Sequence, residues 1–159
     1  MSLPQPDPAI LRKAQKNDER AFAIILRMYE TPVYNYVLRL VGDRSLAEDL
    51  TQEVFLRVFQ GLPRFSHRSK FTTWLFQVTK NRVLDELRAV ERRPRLSVAL
   101  DDVPPLEAID QPVERLETID AVWRAVNELN VDLKMALLLR DVVGLSYNEI
   151  GRASCRERV

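Results

Sequence analysis

Few residues of this chain have the types and spacing that catalysis or metal binding requires. His67 and Cys155 are the only histidine and cysteine, which excludes an intramolecular disulfide, a histidine-based metal cluster and a multi-cysteine zinc site. The sequence contains no glycine-rich phosphate loop, no nucleophile elbow and no pair of carboxylates in a setting that differs from a helix surface. We therefore expect no enzymatic activity, no metal and no cofactor, and the informative residues are those suited to binding.

The segment from residue 64 to residue 95 has the residue types that nucleic-acid binding uses. It carries nine basic and three acidic residues, and a spacing of four places Thr73, Gln77 and Asn81 in one row. Amide side chains present a paired donor and acceptor to a base edge, whereas Lys and Arg hold phosphates. On these residues alone, a basic helix that is merely solvated explains the pattern equally well.

A second polar surface is expected on the helix that precedes this segment, over residues 45–60. Steps of three and four residues place Asp49, Gln52 and Glu53 together, with Glu48 beside them. A solvated acidic face is the commoner explanation of such a pattern. The alternative is a docking surface for a protein partner whose own surface is basic.

The elements that position both surfaces are predicted to be helices. Apolar residues recur every three or four positions through most of the chain, and no segment shows the sustained two-residue alternation of a strand. Helix starts are predicted at Asp7, at Asp18 and at Ser45, where Glu48 completes a capping box. Pro32 is expected to break or kink its helix. The fold class is therefore all-α.

Composition divides the chain into two helical parts. Four prolines and five acidic residues fall between residues 94 and 114, and no Lys or Arg follows Arg95 in that stretch, which predicts a linker. With 46% hydrophobic and 30% charged residues, the 159-residue chain has enough apolar side chains for a core. No apolar run approaches the roughly 18–20 residues needed to cross a bilayer, and no signal peptide is recognisable, so we expect a cytosolic chain without membrane insertion.

Several motifs together resemble those of the bacterial extracytoplasmic-function sigma factors of the sigma-E type. They are A-E-D-L-T-Q-E-V-F-L-R-V-F from Ala47 to Phe59, F-S-H-R-S-K-F-T-T-W-L-F from Phe65 to Phe76, and N-R-V-L-D from Asn81 to Asp85. Beyond the linker, the segment from Leu129 to Ile150 is similar to the start of the family's second conserved domain. These motifs span most of the chain.

The resemblance implies a domain order and a function. Residues 1–93 would form the helical bundle of sigma region 2, which binds the clamp helices of the largest subunit of RNA polymerase and the minus-ten promoter element. Residues 115–150 would form an incomplete sigma region 4, whose helix-turn-helix reads the minus-thirty-five element. The chain would direct polymerase core to promoter DNA and stabilise the melted minus-ten strand. An anti-sigma factor is a further expected partner.

By the same resemblance, individual residues acquire expected roles. The four residues of the acidic surface, Glu48, Asp49, Gln52 and Glu53, would contact polymerase. The loop from Phe65 to Lys70 would line a pocket for a flipped base of the non-template strand, and Asn81 would contact the melted strand. The full expected DNA-binding set is Phe65, Ser66, His67, Arg68, Ser69, Lys70, Gln77, Lys80, Asn81, Arg82 and Arg88.

Two aromatic residues beside this loop are assigned differently. Phe71 and Trp74 lie in the apolar stripe of their helix, so we expect them in the core rather than stacked on bases. The basic residues Lys80, Arg82 and Arg88 are expected to contact phosphates.

The C-terminal end departs from the family pattern. Where the rest of a helix, a turn and a recognition helix would follow, residues 151–159 resemble the translation of a sequencing-library adapter. We expect this tail to be non-native and minus-thirty-five recognition to be lost. Four apolar residues, Leu133, Leu137, Leu138 and Ile150, are then expected to keep unpaired apolar surface. The competing interpretation of the whole chain is a helical protein-interaction module that does not bind DNA.

Overall fold

Helices make up most of the computed structural model, which describes residues 3–92 and 113–154. In these ranges the α-helices are α1 (Pro8–Gln15), α2 (Glu19–Val41), α3 (Arg44–Gly61), α4 (Phe71–Arg92), α5 (Val113–Glu128), α6 (Val131–Leu138) and α7 (Tyr147–Ser154). A 3-10 turn, Leu62–Arg64, follows α3, and a π-helical segment, Leu139–Val143, follows α6. The described ranges contain no β-strand, so the all-α prediction is confirmed. Nearly all of the predicted linker, and residues 155–159 of the predicted tail with Cys155, lie outside the described residues.

Local capping sets the ends of the first two helices as the sequence predicts. Oδ1 of Asp7 accepts a hydrogen bond from the amide of Ala9 at 2.7 Å, and Oδ1 of Asp18 accepts one from the amide of Ala21 at 3.1 Å. Gly42 ends α2 in the left-handed region, with φ 72°. These short-range contacts place α1 and α2 in the expected parts of the chain.

One predicted helix start is wrong, and of the two effects expected of Pro32, a break or a kink, the break does not occur. Asp43 rather than Ser45 caps α3, because Oδ1 of Asp43 accepts from the amide of Leu46 at 3.1 Å and the helix has already begun at residue 44. Pro32 does not end its helix: α2 is one element from Glu19 to Val41. Proline removes a single backbone donor, and burial of α2 on both sides of Pro32 keeps the helix in place.

We use the name first domain for α1 to α4, the helices before residue 93, among which α2 contacts the other three. The buried face of α2 carries Ile25, Tyr29, Val33, Tyr36 and Val37, each of which is 0% exposed. Large side chains that are removed from water in this way supply most of the stability of a small helical domain. The same packing leaves the exposed positions of α3 and α4, among them Asp49 and Asn81, open to solvent.

We use the name second domain for α5 to α7, the helices after residue 112, and contacts join this group to the first domain. Helix α6 and the π-helical segment contact α2, and α7 contacts α4. The guanidinium of Arg39 lies 3.9 Å from the ring centroid of Trp123, and Nζ of Lys70 lies 3.0 Å from Oε1 of Glu149. Buried apolar residues of both domains belong to one continuous cluster. No helix in the described ranges is both long and apolar enough to cross a membrane.

This packing contradicts part of the expectation for the second domain. Leu138 is 1% exposed and Ile150 is 9% exposed, so neither keeps a free apolar surface. Both join the cluster that extends into the first domain, which covers surface that the second domain alone would leave open. Leu133, at 56% exposed, behaves as expected, and Leu137 is half-buried. Helix α7 also continues through Gly151, the first residue of the predicted tail.

Candidate functional site

The loop between the 3-10 turn and α4 rests on a layer of aromatic rings. Ring centroids lie 5.1 Å apart for Phe65 and Trp74, 5.9 Å for Phe71 and Trp74, and 6.1 Å for Phe65 and Phe71. Phe65 and Phe71 are 8% and 3% exposed. Phe71 therefore belongs to the core, and Trp74 packs against it from a half-buried position, as the apolar stripe predicts. This layer gives the loop a rigid support.

Above the aromatic layer, the polar residues of the loop are open to solvent. The exposed members are Ser66, His67, Arg68 and Lys70, and Ser69 is half-buried. His67 adopts a left-handed backbone with φ 58°, which is unfavourable for a residue with a side chain. Its ring packs at a tilt against Phe65, with the centroids 4.8 Å apart, and its Nε2 lies 2.8 Å from Oε1 of Gln15. These two contacts offset part of the cost of the left-handed backbone at His67.

A surface pocket of about 410 Å³ opens beside this loop. One wall consists of loop and α4 residues: Phe65, His67, Ser69, Lys70 and Phe71. The facing wall comes from the N-terminal segment and α1: Gln5, Pro6, Pro8, Leu11 and Arg12. The first wall coincides with the loop that the sequence predicts. The second was missed, because nothing local in the sequence indicates that α1 lies beside residues 65–71.

The predicted row on α4 does not form one exposed face. Thr73 is 2% exposed, and its Oγ1 has no hydrogen-bond partner among the described atoms. Gln77 is half-buried and Lys80 is 7% exposed, whereas Asn81 and Arg88 are open to solvent. Of the α4 residues in the predicted set, Asn81 and Arg88 are therefore the ones that solvent or a binding partner can reach.

Arg82 connects the two polar surfaces that the sequence treats as separate. Its side chain is 13% exposed; Nε hydrogen-bonds the carboxylate of Glu53, and Nη2 lies 3.2 Å from Oε2 of Glu86. The hydrogen bond with Glu53 raises the pKa of Arg82, against the opposing effect of burial. An expected polymerase contact and an expected phosphate contact are thus bonded to each other, which joins α3 to α4.

The acidic surface of α3 is exposed along its length. Glu48, Asp49, Gln52 and Glu53 all face solvent, as their spacing predicts. Leu56 lies one turn beyond Gln52 and is 57% exposed, which the sequence interpretation overlooked. Its position outside the regular apolar stripe of α3 was the available signal. A single exposed leucine is common on protein surfaces, and here it adds one apolar side chain to the exposed polar row of α3.

Comparison with known proteins adds an independent finding. A model of the family described as Sigma-70 region 2 matches residues 25–93, which include α3, the loop and α4. Both candidate surfaces therefore lie within the matched segment.

Curated relatives extend the similarity over nearly the whole chain. The RNA polymerase sigma-H factor of Pseudomonas aeruginosa is 30% identical over 160 residues, which cover 94% of this chain and 83% of that protein. The ECF RNA polymerase sigma-E factor of Escherichia coli K12 is 32% identical over 164 residues, with the same two coverages. The ECF sigma factor SigC of Mycobacterium tuberculosis is 34% identical over 139 residues, covering 87% of this chain and 74% of its own length.

A solved structure shows the same fold. CnrH, solved in complex with the cytosolic domain of CnrY, superposes with a TM-score of 0.67 at 18% sequence identity. The match covers 94% of this chain and 82% of that chain. The similarity therefore extends through the second domain as well as the first.

Proposed function

Because this chain belongs to the extracytoplasmic-function RNA polymerase sigma factors, we propose that α3 carries its contact with polymerase core and that the loop pocket binds the melted minus-ten strand. Membership of this family makes the chain a non-enzymatic initiation subunit that directs polymerase to promoters. It also argues against the competing interpretation, a helical protein-interaction module that does not bind DNA.

The observation that carries the polymerase contact is the exposed surface of α3. Asp49, Gln52 and Leu56 follow one another at steps of three and four residues, so a charged, a hydrogen-bonding and an apolar side chain share one exposed row. A partner with a basic, partly apolar surface fits this pattern, and the clamp helices of the largest subunit are the proposed partner. Glu53 also borders the surface, but its bond to Arg82 gives it a structural role as well.

The test compares two charge reversals in the full chain. Asp49→Arg should weaken binding to bacterial polymerase core by about tenfold or more, the effect of roughly 1.4 kcal/mol. Glu30→Arg makes the same change at an exposed position of α2 and should leave binding unchanged. Glu53→Arg is avoided because it would place a cation against Arg82. Equal binding by Asp49→Arg and the wild-type chain, or equal losses in both variants, would contradict the proposed surface.

The DNA-binding part of the proposal uses exposed side chains of the loop and α4. Arg68 and Arg88 would contact phosphates, while Asn81 would meet the melted strand. Each phosphate contact to a single strand contributes about 0.7 to the slope of log affinity against log salt. We expect Arg68→Ala and Arg88→Ala, in the complex with core, each to lower that slope by about this amount. Arg27→Ala, exposed on α2, is the control.

The second domain contacts the loop and α4, which carry the proposed DNA-binding residues. Helix α7 contacts α4, and Lys70 of the loop is paired with Glu149 of the second domain. A phosphate that binds Lys70 would compete with this carboxylate. We therefore propose that α7 separates from the loop when the minus-ten strand binds.

A regulatory partner of the anti-sigma class is also proposed. The similarity in fold to CnrH, which was solved with the cytosolic domain of CnrY, supports this partner. Polymerase core is the other protein partner, so the proposed place of action is the cytoplasm.

A further inference from the structure

Gln15, the last residue of α1, joins α1 to the loop through three hydrogen bonds. Its Nε2 donates to the carbonyl oxygens of Leu62 at 3.1 Å and Phe65 at 2.9 Å. Its Oε1 lies 2.8 Å from Nε2 of His67. The amide thus uses both N–H groups and its oxygen on a segment that is 47 to 52 residues away in sequence.

This arrangement fixes both the amide and the histidine. The two backbone carbonyls can only accept, so the NH₂ group of Gln15 must face them and its oxygen must face the ring of His67. Nε2 of His67 must then carry the proton of this hydrogen bond. In the neutral ring, Nδ1 is left as the acceptor.

Gln15 does not itself line the pocket, but the residues that it holds do. Phe65 and His67 form part of the loop wall. The facing wall is anchored separately, since Nε2 of Gln5 donates to Oγ1 of Thr72 at 2.7 Å, and the hydroxyl of Tyr29 donates to the carbonyl oxygen of Pro4. The position of the loop wall relative to α1 therefore depends on Gln15, two of whose three hydrogen bonds reach the wall residues Phe65 and His67.

We infer that Gln15 is a positioning residue for promoter recognition: it sets the place of Phe65 and His67, and so determines which base the pocket accepts. This inference rests on the proposed binding of the melted minus-ten strand. Gln15 acts without touching DNA, because it bonds the loop from the side of α1. Its loss should reduce discrimination at one base position and leave the rest of the interface intact.

The experiment measures base preference rather than activity alone. The full chain in complex with polymerase core is incubated with a pool of single-stranded 12-mers of random sequence, and the bound strands are sequenced. Gln15→Ala should lower the preference at one position by about tenfold, within the range that one well-placed base contact contributes. Gln15→Glu should do the same, because a carboxylate cannot donate to Leu62 or Phe65. Lys16→Ala, at the adjacent exposed residue, should behave as wild type.

The outcomes separate this inference from the proposed function. If the wild-type complex shows no base preference at any position, the proposed recognition of the strand fails. If wild type has a preference and both Gln15 variants keep its full pattern, the positioning role is overturned. A uniform loss at every position, together with a lower melting temperature or weaker binding to core in both variants, would show a merely structural role and would also overturn it.

Discussion

Two buried tyrosines of α2 allow the same change, the loss of one hydroxyl group, to be compared with and without a hydrogen-bond partner. Tyr29 and Tyr36 are both 0% exposed, and burial raises the pKa of both, so both stay neutral. The hydroxyl of Tyr29 donates to the carbonyl oxygen of Pro4, whereas the hydroxyl of Tyr36 has no partner among the described atoms. We predict that Tyr29→Phe destabilises the protein and that Tyr36→Phe stabilises it.

The expected magnitudes follow from these environments. Tyr29→Phe removes one hydrogen bond, which contributes about 1 kcal/mol to stability. Tyr36→Phe removes a buried hydroxyl whose unpaired burial costs about 1–3 kcal/mol, and the void left by one oxygen returns only a few tenths of that. The two variants should therefore differ by about 2 kcal/mol in the free energy of unfolding. For a protein of this size, the difference in melting temperature is about 4–8 °C.

Urea unfolding of the full chain, followed by circular dichroism, measures this difference, and calorimetry checks the melting temperatures. The free energy of unfolding of the wild type should fall between those of the two variants. The slope of this free energy against urea concentration should be similar in all three proteins. Each variant is the control for the other, because both lose a single oxygen from a fully buried ring. Equal destabilisation by both substitutions would refute the reasoning and would mean that the hydroxyl of Tyr36 is hydrogen-bonded in solution.

Three further predictions concern the second domain and its contact with the first. The hydrogen bond from the amide of Ser146, together with Lys70, lowers the pKa of Glu149. Glu149→Gln should therefore reduce the free energy of unfolding, measured in urea, by about 1 kcal/mol above pH 4.5. This difference should disappear as the pH falls through the lowered pKa of Glu149. Burial lowers the pKa of Lys134, which means that the folded state disfavours its charged form. Lys134→Met should therefore raise the melting temperature at pH 7, and the increase should become smaller as the pH approaches 10.5, where the lysine loses its charge in the unfolded chain as well. Leu138→Ala should cost about 2–5 kcal/mol in urea unfolding. Leu133→Ala, at an exposed position of the same helix, should change stability by less than about 0.5 kcal/mol.

Each of these has a result that would contradict it. A stability difference between Glu149→Gln and wild type that stays the same at all pH values would show that the hydrogen bonds of Glu149 do not depend on its charge. A lower melting temperature for Lys134→Met at neutral pH would mean that the ammonium group has a stabilising partner. Similar effects of the two leucine substitutions would mean that the second domain does not pack as the structure shows.

Local features of the fold were predictable because the forces that produce them act within a few residues. The apolar spacing of α3 and α4 places Val54 and Phe71 in the core, and a carboxylate at Asp18 caps the helix that starts beside it. The exposure of Asp49 and Gln52 follows from the same periodicity. The start of α3 was predicted at Ser45 and lies at Asp43, because the capping-box form of Ser45 and Glu48 does not show which residue caps the folded helix.

The motifs of residues 47–85 were sufficient for the family, and the matched family model includes them. They also located the loop that forms one wall of the pocket. They did not reveal that Arg82 bonds Glu53, because each residue has a plausible role on its own helix and the bond exists only where α3 meets α4.

The sequence by itself therefore determined the helical class, the acidic surface, the position of the loop from Phe65 to Lys70 and the family, all of which depend on spacing along the chain. Only the tertiary structure decided that Gln15 holds the loop, that the N-terminal segment completes the pocket, and that α7 lies against α4. These contacts join residues far apart in sequence. Helical periodicity specifies which face of each helix is buried, but which helix packs against that face depends on the packing of the whole core.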